Sequence, residues 1–174
     1  DGIEKDTNES QKYFQMAINK GNIQSMVDYG AMLLIGNGIP KNQEKAAKLF
    51  KKAADKRNEK AMYYLATMLM NGDGIPLDKE KSLKYLKMAA DLGDEKSMTT
   101  YGQLLSRGKN IKIDKKEAAK YLKKAAEKGD EEAMFEYGTM LRDGDGIPCD
   151  KKEASFYLKT AADKGEIKSI FQYG

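Results

Sequence analysis

The sequence predicts an all-α chain: an α-solenoid of stacked helix-turn-helix repeats on a right-handed superhelical path. Three observations predict it. A 36-residue block recurs without insertion along the 174 residues. Apolar side chains fall at helical spacing twice within each block. A glycine-rich loop and an Asn or Asp cap separate the two stretches.

The repeat is plainest in its loop. Gly72-Asp73-Gly74-Ile75-Pro76 returns as Gly144-Asp145-Gly146-Ile147-Pro148 and stands earlier as Gly36-Asn37-Gly38-Ile39-Pro40. Gly108-Lys109-Asn110-Ile111-Lys112 fills the remaining slot. The alanine pairs 53–54, 89–90, 125–126 and 161–162 keep the same interval, as do Tyr29, Leu65, Tyr101, Tyr137 and Tyr173. One array over residues 1–174 is therefore expected, with full repeats at 23–58, 59–94, 95–130 and 131–166. Residues 1–22 read as the second half of an earlier repeat, with Asp1-Gly2-Ile3 in the loop column, and 167–174 as the opening of another. An array cut inside a loop and inside a helix is expected to be part of a longer chain or assembly.

Each block begins with helix A. In the second full repeat Met62, Leu65, Ala66 and Leu69 give it one apolar face, and the loop at 71–77 ends it. Helix B follows, capped by Asn42, Asp78, Asp114 or Asp150, with Glu117 and Glu153 three residues on as in a capping box. In the second block it buries Tyr85, Leu86, Ala89 and Ala90. Gly21, Gly93, Gly129 and Gly165 end it in left-handed geometry, a position that Arg57 takes in the first full repeat. Asn22, Asn58, Asp94 and Asp130 then cap the next helix A. Helices of about 13–15 residues result, roughly 20 Å long. A lone pair cannot bury its apolar face, so neighbours must stack. Gly30, Ala66, Gly102 and Gly138 let the helix axes approach.

Composition removes several kinds of chemistry. There is no histidine, so no His-based triad or zinc site, and Cys149 alone allows no internal disulfide. The net charge of +4 is carried mostly by lysine, with Arg57, Arg107 and Arg142 the only arginines. That pattern suits a solvated surface better than phosphate recognition, so no nucleic-acid partner is expected. The longest apolar run, Ala31 to Ile35, is too short to span a membrane. No cofactor or metal is expected either.

The columns resemble the Sel1-like repeat, a relative of the tetratricopeptide repeat. The fourth repeat carries the resemblance with Ala133, Tyr137-Gly138, Leu141, Gly144-Asp145-Gly146-Ile147, Asp150, Ala154, Tyr157, Ala161-Ala162 and Gly165. The third repeat departs from it at Asn110 and Lys112, and Asn110 is expected to keep the loop because asparagine tolerates left-handed backbone. The resemblance implies a scaffold or adaptor that holds protein partners together, and it names no ligand. Related proteins associated with β-lactams carry paired cysteines in each repeat, which this chain lacks.

Local motifs add no catalytic site. Asp143-Gly144-Asp145-Gly146 looks like a calcium loop, but that register puts Leu141 and Lys152 at ligand positions. Ser106-Arg107-Gly108-Lys109 matches a Ser-x-x-Lys pattern without the companion motifs of an acylating enzyme. Cys149 shares a column with Lys41, Leu77 and Ile113 and reads as a half-buried spacer. The lysines of helix B, including Lys87 and Lys123, read as a solvated outer face.

Helix A supplies the candidate protein-binding surface. The column Val27, Tyr63, Thr99, Phe135, Phe171 and its neighbour Asp28, Tyr64, Thr100, Glu136, Gln172 vary where the framework repeats. Positions freed from packing can be read by a partner, and in such a solenoid helix A lines the concave side. Asp28, Tyr63, Tyr64, Thr99, Thr100, Phe135, Glu136 and Phe171 are therefore the expected contacts. The competing reading has Tyr63 and Phe135 filling the seam between repeats. Tyr64 is expected to contribute to binding without contributing to stability. The favoured function is a non-enzymatic interaction scaffold; the alternative is a spacer fixed within a larger assembly, such as a cytoskeletal one. Compartment is left open between the cytoplasm, slightly favoured, and a secretory route.

Overall fold

The computed structural model of the chain describes residues 2–108 and 112–165, with side chains from Glu9 onward. Among them are nine α-helices and no strand. They run α1 Gly2–Asn19, α2 Ile23–Ile35, α3 Gln43–Asp55, α4 Glu59–Asn71, α5 Lys79–Leu92, α6 Glu95–Arg107, α7 Lys115–Glu127, α8 Glu131–Asp143 and α9 Lys151–Asp163. Even numbers are A helices and odd numbers B helices. The chain forms two compact units, residues 1–92 and 93–174.

Both helix starts of every full repeat are capped as the sequence predicts. The side chains of Asn22, Asn58, Asp94 and Asp130 accept from the backbone N–H three residues on at 2.7–2.8 Å. Asn42, Asp78, Asp114 and Asp150 do the same for the B helices at 2.9 Å. Each cap satisfies an amide left without an intrahelical partner, worth about 1 kcal/mol.

Four equivalent backbone bonds tie each loop back onto its own helix A. The N–H of Asn42, Asp78, Asp114 and Asp150 donates to Leu33, Leu69, Leu105 and Leu141 at 2.8–3.1 Å. Gly2 and Ile3, placed by their column in a loop, lie in α1. Asn110 and residues 167–174 lie outside the described residues.

Arg57 takes the C′ position at φ 63°, the one non-glycine residue with positive φ among the described residues. A Cβ there costs about 1–2 kcal/mol against glycine's freedom. Arg57→Gly is expected to stabilise the chain by about 0.5–1 kcal/mol, after the extra entropy of an unfolded glycine, in a urea melt.

In the first unit the core is continuous from Met26 and Tyr29 through Phe50, Ala53 and Ala54 to Met62, Leu65 and Met68. In the second unit Met98, Tyr101, Tyr121, Leu122, Met134, Tyr137 and Leu158 are buried. Helices cross closely where helix A carries glycine. A Cβ on Gly30 would lie 2.9 Å from the Phe50 ring, and one on Gly138 would lie 2.9 Å from Leu158 Cγ.

Candidate functional site

The two variable helix A columns part company in the structure. Val27, Thr99 and Phe135 are buried, and Tyr63 alone of the described residues in that column is half-exposed. Thr99 donates its hydroxyl to the Glu95 carbonyl at 3.2 Å, the usual outlet for a threonine within a helix. The neighbouring column is open: Asp28 is exposed, and Tyr64, Thr100 and Glu136 are half-buried. Phe171 lies outside the described residues.

In the first unit this surface is aromatic. Tyr64 stacks on the buried Phe50 ring of α3 with centroids 4.8 Å apart, and Tyr63 meets Tyr64 edge-on at 5.9 Å. Asp28 accepts from Gln24 at 2.7 Å, one turn back on α2. The stack corrects the expectation that Tyr64 is free of the core. Removing its ring uncovers Phe50, so Tyr64→Ala carries a folding cost as well as any binding cost.

In the second unit the surface is polar and partly pre-paired. Glu136 of α8 is held by an ion pair with Arg107 at the end of α6. The periodic reading missed this contact because its partners belong to different columns, joined only by the offset between successive A helices.

The B helices are less inert than predicted. Lys123 of α7 reaches Glu153 of α9 at 3.1 Å and lies 5.7 Å from the centroid of the Tyr137 ring. The hydrogen bond to Glu153, with help from Tyr137, pushes the Lys123 ammonium from 10.5 up to about 12. A raised lysine stabilises the fold fully below about pH 10.5, and that contribution fades as pH rises through about 12. Lys123 is thus not a bystander on a solvated face. The pair is well exposed and screened, so Lys123→Ala should cost up to about 1 kcal/mol in a urea melt at neutral pH, and less in high salt. Lys115 pairs with Asp145 in the same inter-repeat manner. Lys128 and Lys164 donate to the carbonyls of Gly93 and Gly129, each at 3.1 Å. The 36-residue interval between these two lysines was the available signal for that clip.

Cys149 differs from expectation too. It is exposed, like Lys41, Leu77 and Ile113, because the residue after the loop's proline position points outward from the turn. Its thiol donates to the Arg142 carbonyl at 3.2 Å. No group of three or more Cys, Asp or Glu side chains gathers as a metal site among the described residues. No described helix is long and apolar enough to cross a membrane.

Stacked helix pairs with capped ends, a repeating core and a varied helix A face define an α-solenoid repeat protein. The chain belongs to the Sel1 repeat family, whose pattern matches residues 1–22, 23–58, 59–94, 96–130 and 131–166. Members of that family generally serve as helical protein-interaction scaffolds. Among solved structures, a Sel1 repeat protein from Oxalobacter formigenes is 28% identical with a TM-score of 0.86, over 92% of this chain and 46% of that one. The protective antigen c5321 of uropathogenic Escherichia coli, with an SLR fold, is 27% identical at TM-score 0.88, over 93% of this chain and 35% of its own. Cysteine-rich protein B of Helicobacter pylori shares the fold at 23% identity and TM-score 0.58, over 74% of this chain and 96% of that one. The chain thus spans less than half the length of the first two relatives. A search of curated proteins finds no significant match.

Proposed function

We propose that the chain is a non-enzymatic adaptor that binds a protein partner on the helix A surface of its repeats. The observation that carries this reading is the contrast between columns. The framework positions repeat their chemistry and are buried, whereas Asp28, Tyr64, Thr100 and Glu136 differ in chemistry and all keep exposed area. Packing on Phe50 accounts for part of Tyr64 and pairing with Arg107 for part of Glu136. Neither accounts for Asp28 and Thr100, and a partner that reads each repeat separately accounts for all four. Tyr63 and Tyr64 supply the aromatic anchor, since a tyrosine buries much area and immobilises few torsions. Asp28 and the Glu136–Arg107 pair supply polar selectivity around it. Thr99 and Phe135 support the surface from beneath.

The test must separate binding from folding, which Tyr64→Ala alone does not. Asp28→Lys alters an exposed side chain and should leave the thermal midpoint unchanged while weakening the partner about tenfold. Tyr64→Ala should weaken it by at least about 1–2 kcal/mol and lower stability as well. Calorimetric titration of each variant alongside its melting curve gives both readings. Unchanged affinity in both variants would remove the helix A surface as the site.

A further inference from the structure

We propose a second docking surface: the cleft between α3 and α5 takes a short acidic protein segment, with an apolar side chain on its floor and carboxylates between Lys51 and Lys81. The cleft holds about 450 Å³ and is floored by Leu65, Leu69 and Ile75. Lys48, Lys51 and Lys81 stand on its walls, against the single carboxylate of Glu44. It continues past Lys81 and Tyr85 into a further cleft of about 520 Å³, which adds Lys84, Arg57 and the exposed Met88 against one carboxylate, Asp55.

The argument for an acidic occupant comes from the equivalent place in the second unit. There a cleft of about 400 Å³ lies between α7 and α9, formed by residues 72 positions further on. Lys123 and Glu153 form an ion pair within it, and Tyr137 contributes to the floor. In the first unit Lys51 stands for Lys123, Leu65 for Tyr137, and Lys81 for Glu153. The carboxylate that closes one cleft is thus exchanged for an ammonium in the other. In return Glu44 on α3 stands where the second unit has Lys116, so the change lies in where the carboxylate sits rather than in net charge. Lys81 turns instead to Asp78 in its own first turn, at 2.9 Å, with its side chain 66% exposed. That contact holds the Asp78 carboxyl below its ordinary range, through hydrogen bonds from the Lys81 backbone and then its side chain. Glu44 lies on α3 itself and Asp78 at the start of α5. Lys51 and Lys81 therefore face the apolar cleft without a carboxylate bridging α3 to α5 as Glu153 bridges α9 to α7. A carboxylate placed between them restores the arrangement seen at Lys123 and Glu153, and a neighbouring leucine or phenylalanine side chain covers Leu65 and Leu69. The surface uses B-helix lysines and neither of the variable helix A columns.

A fluorescein-labelled hexapeptide, Glu-Asp-Leu-Phe-Glu-Asp, titrated by anisotropy against the whole chain tests this. Saturable binding is expected, weakened about tenfold by Lys81→Glu and by Lys51→Glu, each of which supplies the missing carboxylate from within. Lys60→Glu makes the same change of charge at an exposed position on α4 and should leave affinity within about twofold. Circular dichroism melts should show all three variants folded, with Lys60→Glu at the parent's midpoint and only small shifts where Lys51→Glu and Lys81→Glu form the pair across the cleft. Absence of saturable binding would overturn the proposal. So would equal weakening by Lys60→Glu, or equal competition by an oligothymidylate of the same charge, since either would mean unselective attraction of anions.

Discussion

Gly74→Ala is expected to destabilise the chain by about 3–4 kcal/mol, one of the largest costs of any single methyl group here. Two effects add. Gly74 has φ 68°, where an L side chain costs about 1–2 kcal/mol. Its Cβ would also lie 2.5 Å from the carbonyl carbon of Gln43 and 2.7 Å from the Glu44 nitrogen. Those are backbone atoms at the start of α3, and they cannot turn aside as a side-chain tip would. The loop of one repeat therefore rests on the helix B start of the repeat before it, and a methyl group pushes the two apart. Gly72→Ala is the control, because φ is positive there as well, at 79°, but its Cβ would meet nothing nearer than Leu77 Cβ at an ordinary 3.5 Å. It should cost about 1–2 kcal/mol. Urea denaturation followed by circular dichroism gives both values, and equal costs would mean that the loop does not bear on the preceding repeat.

Gly102→Leu should cost about 3 kcal/mol through overpacking at the α6–α7 crossing. A Cβ at Gly102 would lie 2.7 Å from Leu122 Cγ and 3.2 Å from the Ala118 carbonyl oxygen. Leu122 is fully buried and has little room to yield. Gly102→Ala is expected to cost less, about 1–2 kcal/mol, because its Cβ alone already presses on Leu122 Cγ and the Ala118 carbonyl while alanine's better helix propensity offsets part of the strain. The second full repeat already carries Ala66 in this column. The same urea melts decide it, and a Leu variant as stable as the Ala variant would refute the close crossing.

Much of the fold was legible because the information repeats. Every full-repeat cap, each of the C′ glycines Gly21, Gly93, Gly129 and Gly165, and the left-handed Arg57 could be read by comparing a residue with those 36 positions away. What escaped is what periodicity averages out. Arg107 and Glu136 belong to different columns, and Lys123 meets Glu153 only because successive B helices lie side by side. Tyr64 looked free because its column varies, yet the ring behind it, Phe50, belongs to a column that also changes, from Phe14 and Phe50 to Leu86, Leu122 and Leu158. A substitution in one column had been answered in another, and a column-by-column reading does not see such pairs. The open and buried helix A columns differ by a single residue in register. About 100° of helix rotation separates them, and only packing decides which turns inward.

Site-specific photo-crosslinking tests the central claim most directly. Benzoylphenylalanine would be placed at Asp28 or Thr100, on the open helix A column of each unit, and at the exposed Lys159 of helix B as a comparison. Helix A recognition predicts covalent adducts of the same partner from positions 28 and 100 and none from 159. Adducts from 159 alone, with positions 28 and 100 silent, would contradict it.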